Sequence, residues 1–365
     1  MILTRTPFRL TLGGGGTDLP SFYREHGGFI LAAGIDKYMF VNVNTPIVDD
    51  KIRVRYTSSE VVDHVDEVQH TLAREAMKLY GLSSGIEIVS TADIPAGTGL
   101  GSSSCYLVGL LSGLRTLMQK PTGPQDLAEE ACHIELDILE KPIGKQDQFM
   151  AAFGGLTCLW IERDGVVKVE RLPLTTDLVN ALERNIMLFY THATRDATSI
   201  LEKQNNATLQ KEKQVLRNLT EIKDIGMEIR EAILSGNLRR FGELLDAHWQ
   251  CKKGLSKDVS NNQIDDWYEL AKRNGAIGGK ISGAGGGGFL MLYCEDDKQR
   301  LRTAMCGAGL RELHFRIEFE GSKVVFDVVS RDQRLAHIAR LQNNNQDLSS
   351  DSGAVREKSF VVGLR

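Results

Sequence analysis

The sequence predicts an α+β fold built from two lobes, and three observations support that prediction. The chain has 365 residues, enough for more than one hydrophobic core. Helical and strand-like periodicities occur in both halves, without the strict alternation of strand and helix that a parallel sheet needs. Many of the 36 glycines fall in three dense clusters, Gly13–Gly16, Gly97–Gly101 and Gly283–Gly288. Such density is typical of loops whose backbone approaches a ligand closely.

The first half contains a clear connection between a strand and a helix. Ile86–Ile94 is a predicted strand, and Ser103–Gln119 has leucines at helical spacing. The second glycine cluster lies between them, which indicates a strand–loop–helix connection. Residues 125–140 are a predicted helix, and Ala151–Glu170 is predicted as strands joined by a turn at residues 163–165.

The second half is richer in helix. Residues 186–190 and Phe289–Cys294 are predicted strands, whereas residues 196–250 and 329–341 are predicted helical. The break between lobes is expected near residues 170–195. The predicted divisions are a first lobe at 1–180, a second lobe at 181–341 and a polar tail at 342–365.

Composition and charge narrow the class of protein. Hydrophobic residues make up 42% and charged residues 25% of the chain, with a formal net charge of -4 at pH 7. A nucleic-acid-binding domain usually has a basic excess, so we expect no nucleic-acid partner. The N-terminal stretch has no apolar run with the length of a signal peptide core, and no apolar run of the chain is long enough for a membrane span, so we expect no membrane partner. The six cysteines are scattered and typical of reduced thiols, which predicts a cytoplasmic location.

The second glycine cluster fits a phosphate-binding loop. A glycine loop that leads into a helix leaves backbone N–H groups free to bind an anion, and the helix dipole adds positive charge there. Ser102 and Ser103 are natural N-cap residues, and a serine hydroxyl at this place can also bind Mg²⁺ beside a phosphate. The alternative is a capped helix after a tight turn. No Gly-Lys-Ser/Thr occurs, so this is not a Walker A loop.

Two acids follow this loop in the chain. Glu135 has only apolar residues three and four positions away, so its carboxylate is predicted to be shielded from water and to need a cation or metal. The alternative is an edge carboxylate that reaches water. Asp147 and Lys145 lie in a predicted glycine-bounded loop, where the acid can serve as a general base. The alternative there is a loop salt bridge.

The first and third glycine clusters also have polar or backbone features suited to a ligand. Arg9 precedes the first cluster and Asp18 follows it. Aspartate accepts hydrogen bonds from sugar hydroxyls, and arginine is a fixed cation for phosphoryl charge. The alternative is a glycine turn with an Asx cap at Asp18. The third cluster matches GxGxxG, but a strand rather than a helix follows it, which excludes a dinucleotide fingerprint.

In order and spacing, the three clusters resemble the three motifs of the GHMP kinases, which include galactokinase, homoserine kinase and mevalonate kinase. The resemblance covers residues 1–330. It implies a two-lobed GHMP kinase fold, with a first lobe like domain 2 of ribosomal protein S5 and a ferredoxin-like second lobe with extra helices. It also implies a small-molecule kinase that uses ATP and Mg²⁺.

The resemblance assigns roles by position. Ser103 and Glu135 are implied to hold Mg²⁺, Asp147 to be the catalytic aspartate, and Arg9 to be the arginine of the first motif. We expect Arg9, together with the nearby Lys145, to stabilise charge on the transferring group. The residues implied to bind ATP are Pro95, Gly97, Thr98, Gly99, Leu100, Gly101, Ser102, Ser103 and Ser104. The residues expected to bind the sugar are Gly15, Gly16, Thr17, Asp18, Arg195, Gly283, Gly285 and Gly286. Arg195 is chosen for its place near the lobe junction, and a surface arginine is the alternative.

The choice of sugar rests on departures from the galactokinase pattern. Galactokinases have a Glu-His pair where this chain has Gly15 and Gly16. The stretches GGGGTDLPSFY, GKQDQ and THATRDATSI and the pair His248-Trp249 resemble heptose-7-phosphate kinases, which convert D-glycero-D-manno-heptose 7-phosphate to the 1,7-bisphosphate. The alternatives are a fucokinase- or galactokinase-like enzyme for an unphosphorylated sugar, a non-catalytic ATP-binding protein of this fold, and a nucleotide-dependent decarboxylase or isomerase. The expected partner is a small-molecule sugar or sugar phosphate, and a homodimer is left open.

Overall fold

Two β-sheets organise the fold. The computed structural model describes residues 1–120, 123–193, 197–332 and 334–335. Within these ranges the strands are β1 (Ile2–Gly13), β2 (Gly28–Asn44), β3 (Ile52–Arg55), β4 (Ser59–Val62), β5 (Ile86–Ala92), β6 (Leu156–Ile161), β7 (Val167–Arg171), β8 (Ile186–Tyr190), β9 (Gly278–Ile281), β10 (Phe289–Tyr293), β11 (Arg311–Leu313) and β12 (Lys323–Asp327).

Eight strands form the first sheet, and the long strand β2 lies at its centre. The order is β12-β1-β2-β5-β3-β4, with β6 and β7 extending from β2. Residues 28–33 of β2 pair with β6, whereas residues 39–44 pair with β5. β1 runs antiparallel to β2 and ends at Gly13, opposite Leu31. The first glycine cluster therefore begins where β1 ends.

The second sheet has four antiparallel strands in the order β11-β8-β10-β9. Numbered by their appearance in the chain, these strands have the order 4-1-3-2. Helices lie between β8 and β9 and between β10 and β11. This is the β-α-β-β-α-β arrangement of a ferredoxin-like unit. The predicted ferredoxin-like second lobe with extra helices is confirmed.

Helices cover both sheets. The described α-helices are α1 (Pro20–His26), α2 (Thr71–Leu79), α3 (Ser102–Leu117), α4 (Pro124–Cys132), α5 (Gln146–Phe153), α6 (Thr176–Asn185), α7 (Ala197–Leu209), α8 (Lys213–Leu234), α9 (Leu238–Lys253), α10 (Asn262–Arg273) and α11 (Lys298–Gly307). A 3₁₀ turn lies at Val65–Glu67 and a π-helical segment at His133–Ile138. α3 packs on β1 and β2. α8 contacts the first sheet, and its neighbour α9 contacts β9 of the second, so this helix pair connects the sheets.

Some local predictions are confirmed and others are corrected. β5 and α3 confirm the strand–loop–helix connection, and the pairing of β6 with β7 confirms the hairpin turn at residues 163–165. Ala151–Glu170 is not all strand, because α5 extends to Phe153, where Gly154 with a φ of 63° follows it. Asp147, predicted in a loop, lies in the first turn of α5.

Three sequence predictions concern the limits of the lobes. The division at 180/181 falls within α6 and stays a prediction. The helix predicted at 329–341 lies largely outside the described residues, and the tail at 342–365 lies wholly outside them. In the described ranges, no helix combines the length and the apolar character needed to cross a membrane.

Candidate active site

The three glycine clusters meet at one cavity of about 370 Å³. The glycines of the clusters that line it are Gly15, Gly16, Gly97, Gly99, Gly101 and Gly283. Side chains from β1, α3, α5, α7, α9, β9 and the π-helical segment also line it. The fold therefore brings together segments that are far apart in the sequence.

The second glycine cluster turns tightly into α3. Gly97, Gly99 and Gly101 have φ values of 77°, 79° and 85°, a left-handed conformation that glycine adopts readily. Gly101 is the N-cap of α3, and no side chain among the described residues caps this end. The N–H groups of the first helical turn are therefore available to an anion, at the positive end of the helix dipole. This corrects the prediction that Ser102 and Ser103 are N-cap residues.

Glu135, in the π-helical segment, is fully buried against the start of α3. Its carboxylate accepts hydrogen bonds from Ser103 Oγ at 3.1 Å and Ser104 Oγ at 2.7 Å. The Gln148 side-chain amide donates at 2.7 Å, and the Lys141 ammonium lies 3.0 Å from Oε1. These donors offset the cost of removing a carboxylate from water. The shielding predicted from the apolar neighbours of Glu135 is confirmed.

Arg9 and Asp147 form an ion pair beside the second glycine cluster. Arg9 Nε donates to Asp147 Oδ1 at 2.7 Å, and Nη1 donates to the carbonyl of Gly99 at 2.6 Å. The Arg9 side chain is nearly buried, whereas that of Asp147 is 26% exposed. Asp147 lies in the first turn of α5, where the helix dipole favours a negative charge. A fixed guanidinium and a carboxylate that solvent can reach therefore lie side by side in the cavity wall.

Asp18 also lines the cavity and is almost fully buried. Its Oδ2 accepts a hydrogen bond from the backbone N–H of Gln146 at 3.0 Å. Thr11 Oγ1 donates to Gln146 Oε1 at 2.7 Å and holds that side chain beside the acid. Burial raises the pKa of Asp18, and the Gln146 backbone hydrogen bond opposes the rise. A Cβ at Gly144 would overlap the Asp18 carboxyl, so the acid fits only because residue 144 is glycine.

The second and third glycine clusters pack backbone against backbone. A Cβ on Gly283 would lie 2.6 Å from the Cα of Gly99, and a Cβ on Gly99 would lie 2.6 Å from the carbonyl oxygen of Ser282. Ser282 Oγ also donates to the carbonyl of Gly99 at 3.2 Å. The third cluster therefore supports the loop that leads into α3.

Two buried lysines line the same cavity. Lys252 of α9 donates to the carbonyl of Ile281 at 3.2 Å and also to the carbonyl of Gly283. Lys280 of β9 donates to the carbonyl of Leu12 at 3.0 Å. Both ammonium groups thus tie the second sheet to the segments that form the cavity.

Burial and neighbouring positive charges lower the pKa values of these lysines. Burial, followed by the charge of Arg9, lowers the pKa of Lys252 to about 7. Burial, followed by the charges of Lys252 and Arg9, lowers the pKa of Lys280 well below its ordinary value. His248, which precedes Lys252 by one helical turn, is fully buried and lines the cavity as well.

Comparison with known proteins places the chain in a family. The model of the GHMP kinases N terminal domain matches residues 65–155, and that of the GHMP kinases C terminal domain matches residues 229–310. The chain is 31% identical to D-glycero-alpha-D-manno-heptose 7-phosphate kinase of Campylobacter jejuni, over 82% of this chain and 91% of that protein. The chain belongs to the GHMP kinase family. This GHMP kinase is an ATP-dependent sugar kinase.

Other relatives and solved structures agree with this family. The GHMP kinase is 25% identical to galactokinase of Pyrococcus furiosus, over 82% of this chain and 90% of that protein. A D-glycero-D-manno-heptose 1-phosphate kinase from Bacteroides thetaiotaomicron has a TM-score of 0.74 at 23% identity, covering 90% of this chain and all of that one. Lactococcus lactis galactokinase complexed with galactose has a TM-score of 0.70 at 20% identity, covering 88% and 94%. The predicted GHMP kinase fold is confirmed.

Lys145, predicted as a catalytic residue of this GHMP kinase, lies away from the cavity. Its ammonium donates to the carbonyl of Gly165 at 2.6 Å and lies 5.6 Å from the centre of the Tyr23 ring. Its side chain lines a neighbouring cleft of about 780 Å³ rather than the cavity that Arg9 and Asp147 line. The hairpin turn supplies the carbonyl acceptor that holds the ammonium there, so the predicted placement of Lys145 is corrected.

Several predicted ligand-binding residues of the GHMP kinase instead make backbone contacts. Thr17 is fully buried, and its hydroxyl is bonded to the backbone of Phe29. In the third cluster, Gly286 N–H donates to the carbonyl of Val259 at 2.8 Å, and Gly285 packs against the same residue. These residues shape the loops and do not line the cavity.

Of the remaining predicted residues, some support the loops or the core and others line the cavity. Thr98 Oγ1 donates to the carbonyl of Pro95 at 3.0 Å, which closes the turn, and Leu100 is buried in the core. The glycines and the three serines of the same stretch line the cavity. Arg195 lies outside the described residues.

Several residues at the cavity were assigned no role from the sequence, because their partners come from distant segments. They are Lys141 and Lys252, together with Gln146, His248 and Lys280, which were noted only as parts of motifs. One signal was present: Lys280 is the one charged residue in the apolar stretch 276–281. A charged residue within an apolar strand is expected to have a partner or a function.

Proposed function

We propose that this protein transfers the γ-phosphoryl group of ATP to the anomeric hydroxyl of a sugar phosphate, and that this sugar is D-glycero-D-manno-heptose 7-phosphate. The Arg9–Asp147 pair beside the second glycine cluster is the observation that supports the site of transfer. It joins a fixed cation to a carboxylate next to free amide groups at a helix start. The identity to the Campylobacter jejuni enzyme supports the choice of sugar.

The proposal gives roles to the groups around the second glycine cluster and to the residues that follow β1. The N–H groups of the second glycine cluster and the first turn of α3 bind the phosphates of ATP. Asp147 accepts the proton of the anomeric hydroxyl while the hydroxyl oxygen bonds to the γ-phosphorus, the γ–β bridge breaks and ADP leaves. Arg9 stabilises charge on the transferring group. Asp18 binds a sugar hydroxyl, and Gly15 and Gly16 leave space for the sugar.

A magnesium ion is part of the proposal, and Ser103 and Glu135 are its proposed ligands. Ser103 Oγ and Glu135 Oε1 lie 3.1 Å apart. Adjacent ligands of octahedral Mg²⁺ lie about 2.9 Å apart, because each Mg–O bond is about 2.0–2.1 Å long. The two oxygens therefore fit the ion. Held by these two residues, the ion would supply positive charge beside the phosphates of ATP. Lys141, now at Oε1 of Glu135, is the competing cation.

A substrate panel tests the proposal. MgATP is combined in turn with heptose 7-phosphate, fucose, galactose and mannose, and ADP release is measured. We expect the highest kcat/KM with heptose 7-phosphate and a product that carries a second phosphate at C1, assigned by ³¹P NMR. Preference for fucose or galactose would instead favour a kinase of unphosphorylated sugars.

A further inference from the structure

The buried lysines of the cavity have no carboxylate partner in the part of the chain that the structure describes. Lys252 is 7% exposed and Lys280 is 2% exposed. Each ammonium donates to backbone carbonyls, which are neutral acceptors. Removing an ammonium group from water without an opposite charge is unfavourable, and such groups usually have a paired anion.

His248 adds a second observation at the same place. The side chain is completely buried, and neither ring nitrogen has a hydrogen-bond partner among the described residues. Burial, together with the charges of Lys280 and Lys252, lowers the pKa of His248 well below its ordinary value, so the ring is neutral. A neutral imidazole still has one N–H donor and one acceptor, and leaving them unpaired costs free energy. A ligand in the cavity would supply the missing partner.

Around Lys252, Lys280 and His248, the cavity has more positive than negative groups. The charge of Arg9 from β1 acts on both Lys252 and Lys280, and the charge of Lys252 acts on Lys280. Asp147 forms its ion pair with Arg9 rather than with either lysine. The carboxyl of Asp18 is bonded to Gln146 rather than to either lysine. By formal charge, the cavity lining has an excess of one cation, because Arg9, Lys141, Lys252 and Lys280 stand against Asp18, Glu135 and Asp147. An anion would neutralise that excess and accept the remaining N–H bonds of the ammonium groups.

We propose that Lys252, Lys280 and His248 form a subsite for a phosphate monoester, and that the subsite holds the phosphate which the sugar carries before transfer. The position of the subsite favours the phosphate of the sugar, rather than a phosphate of the nucleotide, as its ligand. Lys280 is bonded to Leu12, at the end of β1, where the first glycine cluster begins. The inference rests on the proposed function, because among the candidate sugars only a phosphorylated one has such a group. The γ-phosphate of ATP is the other source of the same chemistry.

Three substitutions on the complete enzyme test this subsite. Lys252→Met removes the charge and keeps the side-chain length. Lys253→Met is the matched control, because Lys253 is the next residue of α9 and its ammonium faces Asp265 at 3.4 Å. Lys252→Arg keeps a positive charge. KM is measured for heptose 7-phosphate, for the same heptose without phosphate and for ATP, and the unfolding temperature of each variant is recorded.

For Lys252→Met, we expect KM for heptose 7-phosphate to rise about 10- to 100-fold, as for loss of a hydrogen bond to a charged group. KM for the unphosphorylated heptose and for ATP should stay within about threefold of the wild-type value. Lys253→Met should match the wild type, and Lys252→Arg should recover part of the loss. Lys280→Met gives the same comparison if Lys252→Met is too unstable to assay.

Two results would overturn the subsite. A rise in KM for ATP equal to that for the sugar phosphate would assign the lysines to the γ-phosphate. Equal weakening of both sugars would show that Lys252 only holds the third glycine cluster in place. If the proposed function is wrong, the wild-type enzyme itself will not phosphorylate heptose 7-phosphate, and this result is distinct from the two above. If the wild type does so and the kinetics of Lys252→Met are unchanged, the subsite alone is rejected.

Discussion

Adding one methyl group at Gly283 should displace the second glycine cluster while the protein stays folded. In Gly283→Ala, the new Cβ would lie 2.6 Å from the Cα of Gly99. Carbon atoms pack at about 3.5–4.0 Å, so one of the two loops must move by about 1 Å. Gly99 also accepts the hydrogen bond that positions Arg9 beside Asp147. A misplacement of about 1 Å can reduce a rate by about 100-fold, and we expect kcat/KM to fall by that order.

Gly236→Ala separates this displacement from backbone strain. Gly236 has a φ of 73°, close to the 70° of Gly283, but a Cβ at Gly236 would meet open space. Alanine in a left-handed conformation costs about 1–2 kcal/mol, and both variants should show that loss in urea unfolding. Only Gly283→Ala should lose turnover in steady-state kinetics. If folded Gly283→Ala keeps kcat/KM within about threefold of Gly236→Ala, contact between the two clusters does not position the site, and the reasoning is refuted.

The acids and a buried lysine of the site give three more expected outcomes. Asp147→Asn should reduce kcat by at least about 100-fold with little change in unfolding midpoint, since it loses the proton acceptor; near-normal turnover would reject that role. Glu135→Gln should raise the Mg²⁺ concentration for half-maximal rate about tenfold or more, and an unchanged magnesium titration would exclude Glu135 as a ligand. The pKa of Lys252 falls from 10.5 to about 7 on folding, so the unfolded state binds more protons between these values. The free energy of unfolding of the wild type, minus that of Lys252→Met, should therefore rise between pH 7 and pH 9 by about 1.4 kcal/mol per pH unit, as measured by urea unfolding. A difference that does not change with pH would contradict the lowered pKa of Lys252.

Local sequence patterns are sufficient to predict the surroundings of a residue where those surroundings come from its own helix or loop. Glu135 was predicted to be shielded because its neighbours one turn away are apolar, and it is fully buried. Asp147 was placed wrongly in a loop, because α5 has only eight residues and begins with the polar stretch Gln-Asp-Gln. Lys145 was expected beside Asp147, but residues two positions apart at a helix start point in different directions. Its acceptor, the carbonyl of Gly165, comes from the following hairpin.

By itself, the sequence determined the α+β class, the three glycine clusters and the buried acid that follows the second cluster. Periodicity, capping and glycine content act over a few residues, so they can be read from a single segment. Only the tertiary structure decided that Gly99 and Gly283 touch and that Lys252, Lys280 and Arg9 share one cavity. Those contacts depend on how α8 and α9 join the two sheets. The spacing of residues along the chain does not predict that packing, because the residues that meet come from segments far apart in the sequence.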